Sequence, residues 1–193
     1  GNSGMGGDLI YRWGNPRTYD CGTEDDQILY GPHDIHWIDD GLSGAGNILL
    51  YNTGWTRPEG PISTIEEIAT PVGPEGQYPG LAPGEAHGPD SSTWTYAADP
   101  PEDLFSATGS GAQRLPNGNT LICAARVARL LEITPDSQIV WEYKNPLAGS
   151  GPLHQGEEDT SFGTLVFRAR RYAADYPGLA GRDLTPGAPV ELY

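Results

Sequence analysis

Ser110–Pro146 reads SGAQRLPNGNTLICAARVARLLEITPDSQIVWEYKNP. Four short β-rich runs, SGAQRL, GNTLICA, LLEIT and IVWEY, are separated by turn formers that include PNG at Pro116–Gly118 and PDS at Pro135–Ser137. Asn-Gly and Pro-Asp pairs between apolar runs are strong turn signals, because their residues supply the φ values that tight turns require. The stretch therefore predicts a four-stranded antiparallel meander.

Upstream, the same order recurs with different residues. HDIHWI (His33–Ile38), GNILLYN (Gly46–Asn52), IEEIA (Ile65–Ala69) and TWTY (Thr93–Tyr96) align with the four later runs. The closing pattern, an apolar pair, an aromatic and then a loop ending at Pro, appears at Leu9–Pro16, Thr93–Pro100 and Ile139–Pro146. Repetition of a four-strand unit with Gly and Pro between copies is the signature of a β-propeller. The expectation is all-β: a partial β-propeller with two complete blades, 33–100 and 110–146, inside one domain of 193 residues. Flanking pieces are expected as an outer strand of a preceding blade at 8–16 and an inner strand of a following blade at 165–172, with an extended tail over 173–193. Propellers close with four to eight blades, so further blades or another chain are expected partners.

Composition fits that reading and excludes others. The 27 Gly and 18 Pro suit many strands joined by turns. A net charge of −15 argues against nucleic acid, whose phosphates need a basic surface. No apolar stretch is long enough to span a bilayer, so no membrane span is expected. Cys21 and Cys123 lack CxxC, CxxCH or zinc spacing. A bridge between them would add ~4–5 kcal/mol in the chain-entropy model; a buried free thiol at Cys123 is the other reading. No cofactor is expected. Calcium is a candidate ligand only for the acidic runs Glu24–Asp26 and Glu157–Asp159, neither of which has the alternating ligand spacing of a calcium loop.

Two inserts break the repeat, Thr70–Ser92 and Leu147–Ser161, both poor in strand-forming residues. Long loops in compact domains are commonly functional or disordered.

The runs GPHDIHWIDDGLSGAGNILLYNTG, SGAQRLPNGNTLICAARVARLLEITPDSQIVWEYKNP and FRARRYAADYPGL resemble the arylsulfotransferase-like β-propeller family over about Asp8–Leu179. That resemblance implies a secreted or periplasmic protein that moves a sulfuryl group from an aryl sulfate to a phenol without a nucleotide donor. It also implies a channel histidine as the transient carrier, with cationic side chains on the sulfate oxygens. Inner strands line a propeller channel, so equivalent inner positions converge there. His36 aligns with Gln113 and Arg170, and His33 with Ser110 and Phe167. The family's His-Asp pair matches His33 and Asp34, and its arginine after the second strand has Arg57 as nearest candidate. The candidate catalytic residues are therefore His33 and His36, and the candidate substrate-binding residues Arg57, Gln113 and Arg170, with no metal. The second repeat offers no histidine at the channel position, which leaves a second expectation open: a non-catalytic extracellular binding or scaffold propeller.

Overall fold

A computed structural model describes residues 9–157, 159 and 163–191. The protein is all-β. Strands β1 (Pro32–Trp37), β2 (Ile48–Asn52), β3 (Thr64–Ile68) and β4 (Trp94–Ala97) form one antiparallel meander. Strands β5 (Gly111–Arg114), β6 (Thr120–Ala124), β7 (Arg129–Ile133) and β8 (Ile139–Lys144) form a second in the same order. Two further short strands, β9 (Leu147–Ala148) and β10 (Gly151–Pro152), pair within the second insert.

The sheets stack through a shared core. Leu49, Tyr51 and Ile65 of the first sheet meet Ala112, Ile122, Leu131 and Ile133 of the second, with Leu104 from the linking segment between them. The second strands ILLYN and TLICA are almost wholly buried, which explains their continuous apolar runs: a strand covered on both faces has no solvent side on which to alternate. Burial of each such side chain contributes ~1.5–3 kcal/mol. The β5–β6 turn closes where Leu115 N–H donates to Asn119 O at 2.8 Å, with Gly118 at φ 86°. That left-handed conformation is the reason the turn carries glycine.

The two sheets share a register. Leu49 lies between His36 and Glu67, and Leu121 lies between Gln113 and Glu132. Position by position, His36 corresponds to Gln113, Trp37 to Arg114, Asn47 to Asn119, Glu67 to Glu132 and Trp94 to Trp141. A β-bulge between His33 and His36, with Asp34 at φ 54°, shifts the pairing by one. His33 faces Tyr51, whose counterpart Cys123 faces Gly111. The bulge therefore corrects the expected match of His33 with Ser110.

Two expected flanking strands are not strands. Leu9–Trp13 pairs with no sheet and instead packs on the first insert: Tyr11 Oη donates to Gly88 O at 3.0 Å and Trp13 Nε1 to Pro89 O at 2.6 Å. Its continuation Pro16–Tyr19 is a 3-10 turn. Residues 165–172 run extended beside the second sheet without joining a ladder. Ser110 N–H donates to Phe167 O at 2.8 Å, and Val166 N–H to Ala125 O at 3.3 Å. The physical reason is common to both: a strand exists only where another backbone offers its donors and acceptors. In the tail, the described residues contain one 3-10 turn, Pro177–Leu179.

Candidate functional site

Both sheets bury a glutamate on their third strand, and both satisfy it in the same way. Asn47 Nδ2 donates to Glu67 Oε1 at 2.6 Å, and Arg114 Nη2, from the neighbouring sheet, donates to Glu67 Oε2 at 2.5 Å. One sheet further, Asn119 Nδ2 donates to Glu132 Oε1 at 2.7 Å, and Arg171 Nη1 donates to Glu132 Oε2. Each arginine also covers the tryptophan that flanks its glutamate: the Arg114 guanidinium is 5.3 Å from the Trp94 ring and that of Arg171 is 4.9 Å from Trp141. Both tryptophans then stack on a tyrosine two residues on, Tyr96 and Tyr143. Four residue types thus recur as one latch, Asn–Glu–Trp on one sheet and Arg on the element packed beside it.

Electrostatics at the latch follow from its hydrogen bonds. The bonds from Asn117 and Asn119, aided by Arg171 and opposed by burial, hold the Glu132 carboxyl down at about 2. Arg114 and Glu67 side chains are 5% and 10% exposed, so their charges are paired out of water.

A second ionic group joins β1, β5 and the segment 165–172. The Asp34 side chain, 3% exposed, receives Arg170 Nη2 at 2.7 Å and Arg168 Nε at 3.2 Å, both on Oδ1. Arg170 Nη1 also donates to Ala112 O of β5. Asp34 Oδ2 is buried without a hydrogen-bond partner among the described residues and lies against Gly111, where an added Cβ would fall 2.2 Å from it.

His36, Gln113 and Arg170 line one cleft of about 280 Å³, together with Trp37, Arg114 and Tyr172. His36 Nδ1 lies 2.7 Å from Asp34 O. A carbonyl only accepts, so this bond puts the proton of the neutral ring on Nδ1 and the lone pair on Nε2. Gln113 is fully engaged: its Nε2 donates to Arg171 O at 3.0 Å and its Oε1 accepts from Arg171 N–H at 2.7 Å, so the amide replaces a missing ladder pair.

The other candidates lie elsewhere. His33, at the opposite end of β1, does not line this cleft. Arg57 sits in the β2–β3 connection, at the end of the sheet away from His36, where Nε donates to Ile62 O at 3.2 Å and Nη2 to Thr64 Oγ1 at 3.1 Å. Those bonds, with the Tyr30 ring 5.5 Å away, make it a loop tether. His87 packs against Tyr11 and Tyr19 in the first insert.

Sequence reasoning missed Glu67, Glu132, Asn47, Asn119 and the partner arginines Arg114 and Arg171. The signal was available: Asn, Glu and Trp occupy equivalent places in both copies, a coincidence that solvent-facing residues have no reason to keep.

No group of three or more His, Cys, Asp or Glu among the described residues is arranged to hold a metal ion. In the first acidic run, Asp26 Oδ2 is occupied by Thr23, whose N–H donates at 2.6 Å. In the second, Glu157 accepts from His154 N–H, and residue 158 lies outside the described residues. Cys21 and Cys123 are separate buried free thiols, so the disulfide reading falls. Their sulfurs lie against different carbonyls, Glu85 O and Val166 O. Burial pushes the Cys123 thiol up to about 11.

Family models, curated proteins and solved structures yield no match to this chain.

Proposed function

We propose that this chain is a segment of a β-propeller of arylsulfotransferase-like type whose sheets serve as a binding scaffold, its blades latched by the Asn–Glu–Trp/Arg group. The observation that carries the reading is the recurrence of the latch at two successive seams. Arg171 meets Glu132 as Arg114 meets Glu67, so the extended segment 165–172, without joining a ladder, takes the place beside the second sheet that β5 takes beside the first. The scaffold reading is favoured over catalysis by the state of the cations. Arg114, Arg170 and Arg171 are each committed to a carboxylate, whereas holding the oxygens of a transferring sulfuryl group needs cationic donors preorganised toward the substrate.

One feature favours the enzymatic reading. His36 is held by Nδ1 with its Nε2 lone pair available, the tautomer a nucleophilic imidazole needs. In that reading the S–O bond of an aryl sulfate breaks as an N–S bond forms at Nε2 and the phenolate leaves; the N–S bond then breaks as the oxygen of a second phenol bonds to sulfur, and that phenol's proton passes to the departed phenolate or to water.

Native mass spectrometry of the purified protein, followed by assay of that species for 4-nitrophenolate release from 4-nitrophenyl sulfate with phenol as acceptor, tests the proposal. The scaffold reading expects an assembly or a longer chain that completes the ring, and release no faster than the blank. A monodisperse 20.6 kDa monomer would sink the propeller. Release abolished by His36→Ala would replace the scaffold with the enzyme.

A further inference from the structure

The first insert and the segment before β1 fold onto each other and enclose a cleft of about 460 Å³. Trp13, Tyr19 and His87 supply aromatic walls, and Asp25, Asp26 and Asp90 supply carboxylates. No Lys or Arg lines it. Asp26 is turned to Thr23, but Asp25 and Asp90 are exposed and take part in no ion pair among the described residues.

The chain itself shows what such surroundings hold. Three of its own guanidinium groups sit over an aromatic ring with a carboxylate beside them: Arg114 over Trp94 with Glu67, Arg171 over Trp141 with Glu132, and Arg57 over Tyr30 with Glu66 at 3.9 Å. At the edge of the cleft, Arg12 already covers the Tyr19 ring at 5.7 Å. A flat delocalised cation gains from the ring's negative face and from the carboxylate together. Tyr19 thus already carries a guanidinium on one wall, while the Trp13 and His87 walls and the Asp25 and Asp90 carboxylates share a space that no Arg or Lys of the chain lines.

We infer that this cleft receives the guanidinium group of an arginine side chain supplied by a partner polypeptide, with Asp25 and Asp90 as its counter-charges and Trp13 and His87 as its aromatic walls. The inference is independent of the propeller reading, since the cleft is formed by the first insert and the segment before β1, neither of which belongs to the two four-stranded sheets. It gives the insert a function that the repeat does not explain.

The test is titration of the native protein with N-acetylarginine amide, and separately with its neutral isostere N-acetylcitrulline amide, followed by tryptophan fluorescence and by amide chemical shifts of the insert. Saturable binding of the arginine compound with shifts at residues 84–90, no saturation by the citrulline compound, and at least roughly tenfold weaker binding by Asp25→Asn/Asp90→Asn is expected. Asp39→Asn/Asp40→Asn, which removes the same charge elsewhere on the surface, should leave binding unchanged. The inference is overturned by equal binding of the citrulline compound, by an equal loss in both double variants, or by the absence of saturable binding. All four aspartates are exposed, so unchanged thermal melts will show that the variants are folded.

Discussion

Arg114 and Glu67 form an ion pair across the seam between the two sheets, 2.5 Å from Nη2 to Oε2, at a sequence separation of 47 residues. Attraction between buried charges roughly offsets their desolvation, so the pair is better understood as fixing which face meets which than as a large net source of stability. Arg171 and Glu132 repeat it one element further along.

Removing one member should expose this balance. Arg114→Ala leaves Glu67 buried with only Asn47, and an unpaired buried charge costs ~3–5 kcal/mol. Replacing both, as Arg114→Met with Glu67→Leu, should recover most of that loss. Denaturant unfolding of the native protein, Arg114→Met, Glu67→Leu and the double variant measures the coupling; losses that simply add would mean that the two side chains do not interact.

Gly111 is held to glycine by crowding, not by backbone conformation. A Cβ there would meet Asp34 Oδ2 at 2.2 Å and Cγ at 2.8 Å. Gly111→Ala should therefore displace Asp34 from Arg168 and Arg170 and lower stability by ~1–3 kcal/mol, the usual range for overpacking. In an Asp34→Ala background the same change should cost much less. A thermal melt showing the full loss in both backgrounds would place the strain elsewhere.

The fold's legibility varied with how local its causes are. TLICA and IVWEYK are strands because apolar runs end at Asn-Gly and Pro-Asp turns, all within a few residues. Leu9–Trp13 carries the same kind of pattern as Ile139–Tyr143, yet forms no ladder, since strand identity there depends on a backbone that the pattern does not contain. Alignment of the copies put His36, Gln113 and Arg170 at equivalent positions, and they do line one cleft. Arg57 was chosen by proximity in sequence, and the β2–β3 connection carries it to the other end of the sheet. Glu67 and Glu132 escaped notice because acidic residues are ordinarily solvated. Their burial depends on arginines 47 and 39 positions away.

The Cys123 thiol should be inert in the folded protein. Cys123 is 1% exposed, and burial raises its pKa to about 11, so almost no thiolate is present at neutral pH. Brief alkylation with iodoacetamide followed by mass spectrometry should leave Cys123 unmodified in buffer and label it in denaturant. Rapid labelling of Cys123 in buffer would contradict the packing of β6 against residues 165–172.

Acid should loosen the second seam as it protonates Glu132. Glu132 has its carboxyl at about 2 in the folded protein against 4.5 for the ordinary group, through the bonds from Asn117 and Asn119 and the charge of Arg171. A depressed folded pKa adds stability that is complete above the unfolded value and disappears as pH falls through the folded one. The stability difference between the native protein and Glu132→Gln should therefore be constant above about pH 5 and shrink steadily between pH 4.5 and 2. Denaturation curves collected across that interval measure it directly, and a carbon-13 titration of the Glu132 carboxyl reports the midpoint. A difference that stays flat down to pH 2, or a midpoint near 4.5, would mean that Arg171 and the two asparagines do not hold the carboxylate in solution, and the latch at this seam would be open.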